Sequence, residues 1–155
     1  MINLKRVLVP TDFSDSARLA LRYGISFASE YRAELTLLHV IETIAVGYAS
    51  DLFPVPMAEV YQEIAGYAQS ELAKLAQEAR DKGVTVVETV VQGKPANEII
   101  RIARERTTDM IVLGTHGKGV LDHALFGSTT ERVVRRAPCP VLTCRLSEHE
   151  FVEEK

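Results

Sequence analysis

Apolar positions along the chain switch repeatedly between two periods, and the switches divide it into alternating strand-like and helix-like segments. Leu4 to Val9 is a short apolar run that Pro10-Thr11-Asp12 brings to a stop, the pattern of a strand buried on both faces. Ala17, Ala20, Leu21, Gly24, Phe27 and Ala28 then recur at intervals of three and four, which makes one side of a helix apolar, with Ser14 or Asp15 placed to cap its start. Ala33 to Ile41 predicts a second strand carrying Leu35, Leu37, Leu38 and Val40. A long connection with Gly47, Pro54 and Pro56 follows. Residues 42–58 read as a variable linker, with a lid or partner surface as the other reading.

Val60, Ile64, Ala68, Leu72, Leu75 and Ala79 return to helical spacing, and Lys82-Gly83 gives that helix a basic last turn and a stop. Val84 to Val91 is rich in β-branched residues and predicts a third strand, after which Gly93-Lys94 turns the chain and Pro95 opens a helix with Ile99, Ile100 and Ala103 inward. Met110 to Leu113 is a fourth strand ending at Gly114, and Val141 to Cys144, after Ala137-Pro138-Cys139-Pro140, is a fifth. Between them, Ser128-Thr129-Thr130-Glu131 fits a capping box at the start of a last helix.

Strands alternating with helices imply right-handed βαβ units. The expected fold is therefore α/β: a five-stranded, mainly parallel sheet in a doubly wound three-layer sandwich. In such sheets ligands bind beyond the carboxyl ends of the strands at a topological switch point. Two loops qualify, Pro10-Thr11-Asp12 and the one that starts at Gly114, and they converge if strands one and four are neighbours.

The 155 residues suit one core, so residues 1–146 are expected to form a single domain and the acidic residues 147–155 a mobile tail. With 18 basic against 21 acidic side chains the chain lacks the basic field of a nucleic-acid binder. No apolar run approaches the roughly 18 residues of a membrane span, and the amino terminus leads straight into a strand, so a cytoplasmic location is the simplest expectation. Cys139 and Cys144 fall in one predicted strand, where a rise of about 3.3 Å per residue keeps them beyond disulfide reach. Buried thiols are favoured there over a metal site.

Candidate chemistry concentrates after the fourth strand. Gly114 and Gly117 stand two residues apart, and nine residues later come Gly127-Ser128 at a helix start. Glycines let backbone N–H groups approach an anion, and a helix start adds free amides and positive potential, so the spacing points to a phosphate cradle. A Walker A loop is excluded because Gly117-Lys118 is followed by Gly119 rather than Ser or Thr. A dinucleotide fingerprint or a flavin phosphate loop belongs after the first strand, where Pro10-Thr11-Asp12-Phe13-Ser14 contains no glycine.

Val7-Leu8-Val9-Pro10-Thr11-Asp12-Phe13-Ser14, Leu37-Leu38-His39-Val40, and Gly114-Thr115-His116-Gly117-Lys118-Gly119 with Gly127-Ser128 resemble the universal stress protein family in its nucleotide-binding branch, over nearly the whole chain. The resemblance implies an adenine nucleotide alpha hydrolase-like fold holding ATP or AMP between the first and fourth strand ends. It implies that Asp12 serves the ribose and metal-triphosphate side, and that the backbone of Val40 meets the adenine. Gly114, Thr115, His116 and Gly117 would form the first half of the phosphate loop, and Gly127, Ser128 and Thr129 the second. Leu113, Pro10 and Thr11 would wall the base and sugar. Mg²⁺ is implied if a triphosphate is bound, with Asp12 as a possible metal-side group.

Plainer roles stand beside these. Asp12 is also a natural turn or cap residue, Val40 a core residue, and Ser128 a helix cap. His116 and Lys118 suit solvated positions as well as phosphate contact, His39 suits a packed or locally hydrogen-bonded place, and His123 and His149 belong to no visible constellation.

A nucleotide site is not by itself a catalyst, and the cradle shows neither an arginine finger nor a water-orienting glutamine. The favoured reading is an adenine-nucleotide-binding stress-response module or switch with at most slow hydrolysis. A nucleotide-free dimeric interaction protein is the alternative. A weak ATPase, or a protein that phosphorylates itself at Ser128, Thr129 or Thr130, is the second. The resemblance further implies a homodimer through Val141, Leu142 and Thr143, against a monomer whose edge is guarded by Pro138 and Pro140.

Overall fold

The computed structural model describes residues 1–42, 57–115, 127–146 and 152. Along these the chain runs β1 (Arg6–Pro10), α1 (Asp15–Tyr31), β2 (Glu34–Glu42), α2 (Met57–Asp81), β3 (Val86–Gly93), α3 (Pro95–Glu105), β4 (Met110–Gly114), α4 (Ser128–Arg136) and β5 (Val141–Cys144). All four strand pairings are parallel, in the order β3-β2-β1-β4-β5, so the expected doubly wound α/β sheet is what forms.

Local chemistry sets the helix ends. The Ser14 hydroxyl accepts from the Ala17 amide at 3.2 Å and starts α1, while Pro95 occupies the first turn of α3, where its missing N–H costs nothing. The first three helices end in one shared turn. Ala33, Val84 and Thr108 each donate back to a carbonyl five residues earlier, on Ala28, Ala79 and Ala103, and the residue before each donor has positive φ. That residue is Gly83 after α2, but Arg32 after α1 and Thr107 after α3. The turn claims Val84, so β3 begins at Val86 rather than at the expected Val84.

Both faces of the sheet are covered. Val7, Val9, Leu35, Leu37 and Val112 are buried in one apolar cluster with α1 and α2, whereas Leu8, Leu38, Ile111 and Leu113 pack with α3 and α4. The alternation within β1 and β4 is the two-residue period of a strand buried on both sides. At 25 residues, about 37 Å at 1.5 Å per residue, α2 outruns the strands beneath it. Its face is therefore buried only from Ala68 onward, and Ile64, expected inward, is 37% exposed.

Asp109 fixes the switch point. Its carboxylate accepts from the Lys5 and Arg6 amides at 2.8 Å each, and its own amide donates to the Arg6 carbonyl, which ties the start of β4 to the start of β1. Cys139 precedes β5 instead of lying within it, because Pro138 and Pro140 bracket it without amide hydrogens to enter a ladder. Both cysteines are free thiols. Val152 is half-buried against the core beside α1, and its carbonyl accepts from Arg22 at 2.8 Å. Among the described residues no helix is long and apolar enough to cross a membrane. The expectations placed on residues 43–56 and on His116, Gly117, Lys118, His123 and His149 lie outside the described residues.

Candidate functional site

A proline in a central strand opens the site. β1 pairs with β2 from Arg6 and Glu34 to Pro10 and Leu38, but with β4 only at Val7 with Met110 and Leu8 with Ile111. The Thr11 amide donates to the Leu38 carbonyl of β2 at 2.8 Å. Since successive amides of a strand point to opposite neighbours, the N–H that Pro10 lacks is one that would have faced β4. The carboxyl ends of β1 and β4 therefore part, and a cavity of about 390 Å³ lies over the gap, within the size range of small-molecule sites.

Nine of the residues singled out in the sequence line it: Pro10, Thr11, Asp12, Val40, Leu113, Gly114, Gly127, Ser128 and Thr129. Thr115 does not. It is buried, its amide donates to the Cys144 carbonyl at 2.9 Å, and its carbonyl accepts from the Gly127 amide at 2.8 Å. That staple joins the described ends of the two halves of the glycine pattern, Thr115 and Gly127. It also means that the Gly127 amide is already engaged, so among the described residues of the glycine pattern the free backbone donors are those that follow it.

Those donors belong to α4, which begins one residue earlier than the capping box predicts. Gly127 is the N-cap, with φ −69° and ψ 157°, and its carbonyl accepts the first helical bond from the Glu131 amide. Glu131 does not reach back to Ser128; its carboxylate pairs with Arg135 one turn on, at 3.0 Å. The buried Thr130 hydroxyl donates to the Gly114 carbonyl at 2.9 Å and locks the helix start onto the end of β4. Ser128, Thr129 and Thr130 consequently occupy the first turn, where amides have no intrahelical partner and the helix presents its positive end.

Conformation is not what calls for the two described glycines of the cradle. Neither has positive φ. A Cβ on Gly114 would stand 2.2 Å from Ser16 Oγ and 2.8 Å from the Ser16 carbonyl carbon, so glycine is required there by the first turn of α1.

The β1–α1 turn presents Asp12. Its carboxylate accepts from the Ser14 amide at 3.0 Å and Thr11 Oγ1 accepts from the Phe13 amide at 3.0 Å, so the turn role expected for Asp12 is real and coexists with its place in the cavity wall. His39 is locally bonded, as anticipated, with Nδ1 2.8 Å from the Thr11 carbonyl.

Ala17, Leu38, Glu42, Pro95, Ile99 and Thr130 also line the cavity without having been singled out for it. Strand alternation carries the signal for part of that set, because Leu38, Val40 and Glu42 share one face of β2. Ending the predicted strand at Ile41 placed Glu42 in the connection. Among the described residues no cluster of three or more His, Cys, Asp or Glu is placed to hold a metal ion by itself.

The cavity is thus polar with free amides at its α4 end and mostly apolar where β2 and α3 meet. A family model described as the universal stress protein family matches residues 3–145. The chain belongs to the universal stress protein family. It is 34% identical to universal stress protein MJ0531 of Methanocaldococcus jannaschii over 147 residues, covering 94% of this chain and 85% of that protein. The solved structure of MJ0577 from the same organism superposes with a TM-score of 0.84 at 31% identity, covering 96% of this chain and all of that one. Two more distant structures share the fold. One is a universal stress protein in complex with cAMP, at TM-score 0.70, 24% identity, and coverage of 94% and 100%. The other is the universal stress protein of Archaeoglobus fulgidus in complex with dAMP, at 0.64, 21%, and coverage of 93% and 99%.

Proposed function

We propose that this universal stress protein is an adenine-nucleotide-binding module, a stress-response switch of a single domain over residues 1–146, acting in the cytoplasm with at most slow hydrolysis. The observation that carries the reading is the convergence, on one cavity, of the α4 first turn with the β1 loop and the end of β2. Phosphates lie against the amides and hydroxyls of Ser128 and Thr129, where a helix start favours negative charge. The base lies toward Val40, Leu38 and Ile99, and the sugar beside Pro10, Thr11 and Asp12. His116 and Gly117 complete the phosphate loop. The cAMP and dAMP complexes of the same fold support an adenine ligand of this size.

A divalent cation fits this lining only as a companion of the phosphates. Among the described residues Asp12 and Glu42 are the carboxylates of the cavity wall, too few to cage an ion, whereas Mg²⁺ commonly takes one carboxylate, waters and substrate phosphates. Asp12 would hold it, and the ion would offset triphosphate charge. The described lining offers hydroxyls, apolar walls and these two carboxylates but no Arg, Lys or His, a composition suited to holding a nucleotide more than to stabilising a transferring phosphoryl group. Switching then requires that the nucleotide favour one of two loop or partner states.

The edge position of β5 supports a homodimer as part of this proposal. Val141, Leu142 and Thr143 are half-buried on an edge strand, whose backbone groups gain partners if two copies pair. Calorimetric titration with ATP, ADP and AMP, with Mg²⁺ present and GTP as the control, tests the site. One-to-one binding that prefers adenine is expected, and no heat from any adenine nucleotide overturns the reading. Sedimentation at micromolar concentration checks the dimer, and a monomer alone contradicts it.

A further inference from the structure

Asp12 is flanked by two residues that one side chain holds, and that side chain is not part of the cavity wall. His39 Nδ1 lies 2.8 Å from the Thr11 carbonyl, and the His39 ring stacks on Phe13 with centroids 4.5 Å apart and planes 26° from parallel. A carbonyl only accepts, so Nδ1 carries the hydrogen and donates it. Phe13 has φ 64°, the left-handed region that an aromatic residue rarely adopts. Within the turn the Phe13 amide donates to Thr11 Oγ1 and the Ser14 amide to Asp12 Oδ1, both at 3.0 Å, and the second bond reaches Asp12 across the Phe13 backbone, so it depends on the conformation Phe13 adopts.

We infer that His39 is a positioning residue for Asp12: its hydrogen bond to Thr11 and its stacking on Phe13 hold the β1–α1 turn in the shape that keeps the carboxylate in the cavity wall. The inference rests on the nucleotide reading above and adds a residue of β2 that touches no ligand. The two contacts divide the work. The donor pins the residue before Asp12, and the ring steadies the strained residue after it. Asparagine at position 39 keeps a donor at the same distance from the backbone but no ring, and phenylalanine keeps the ring but no donor. Because Asp12 serves the cation side of a triphosphate, misplacing it weakens ATP with Mg²⁺ and leaves AMP little changed.

The test measures affinity for ATP with Mg²⁺ and for AMP in the parent, His39→Ala, His39→Asn and His39→Phe. His39→Ala is expected to lose about three- to tenfold in ATP affinity, the worth of one hydrogen bond, and less than about twofold for AMP. His39→Asn recovers most of the loss. Equal losses for the two ligands, or an asparagine variant no better than alanine, overturn the inference. If the alanine variant does not fold, His39→Asn is compared with His39→Phe: tighter ATP binding by asparagine supports the positioning role, and equal or reversed affinities overturn it. Long-range ¹H–¹⁵N spectra of the parent's imidazole give a readout without ligand, with the Nδ1–H tautomer expected and the Nε2–H tautomer contradictory. A parent that binds no adenine nucleotide overturns the site reading and this inference with it, whereas parent-like ATP binding by His39→Ala overturns this inference alone.

Discussion

Replacing Gly114 with alanine asks whether this glycine belongs to the ligand or to the fold. The new Cβ would lie 2.2 Å from Ser16 Oγ, 2.8 Å from the Ser16 carbonyl carbon and 2.9 Å from its oxygen. The hydroxyl can rotate away, but the backbone atoms belong to the first turn of α1 and yield only if the helix shifts from β4. Overpacking of this kind costs about 1–3 kcal/mol. For a chain of this size each kcal/mol lowers the melting temperature by about 2–4 °C, so a fall of roughly 2–12 °C is expected. Urea unfolding is the sharper assay, with a lower midpoint and an unchanged slope. Adding Ser16→Ala removes only the hydroxyl, so the double variant recovers part of the loss. A Gly114→Ala protein that unfolds at the parent's midpoint yet no longer binds nucleotide would refute this reasoning and return the glycine to the ligand.

Three further substitutions probe the site and the core. Gly127→Val places a branched side chain at the N-cap of α4, costs up to about 1 kcal/mol of stability and abolishes binding of ATP and AMP alike; parent-like affinity by calorimetry would show that the cradle lies elsewhere. Asp12→Ala removes the acceptor for the Ser14 amide and weakens ATP with Mg²⁺ more than AMP, and equal losses would remove its cation-side role. Burial pushes the Cys144 thiol from its ordinary 9.0 up to about 11, so above pH 9 the unfolded chain releases a proton that the folded chain retains. The stability this contributes is present below pH 9 and lost as pH rises toward 11. Denaturation at about pH 8 and about pH 10.5 should therefore show a smaller decline in Cys144→Ala than in the parent, and equal declines would contradict the assignment.

The sequence pattern made the sheet legible because turn residues mark where apolar runs end, as Pro10-Thr11 ends β1, Gly93-Lys94 ends β3 and Gly114 ends β4, whereas β2 has no such stop and ran one residue past its expected end. Parallel pairing followed from the alternation of periods, and the switch point from the two loops that meet there. The departures have local physical causes. Arg32 and Thr107 end helices in the left-handed conformation through hydrogen bonding that composition does not announce. The N-cap of α4 falls at Gly127 instead of Ser128 because long-range bonds fix the helix start, Gly127 to Thr115 and Thr130 to Gly114, and no local motif encodes partners a dozen or more residues away. For the same reason the glycine spacing located the cavity without revealing which amides are free. It pointed at Gly127, whose N–H is spent, when the first turn of α4 holds the donors. Glu42 and Pro95 entered the wall through the sheet's geometry, which brings β2 and α3 to the same opening.

The central claim is that the first-turn amides of α4 hold phosphate. ¹⁵N-labelled protein titrated with ATP and Mg²⁺ tests it directly, by following the backbone resonances of Ser128, Thr129 and Thr130. Saturable downfield shifts of these amides, with Gly127 bonded to Thr115 throughout, are the predicted result. Tight binding that leaves all three resonances unmoved would contradict the account.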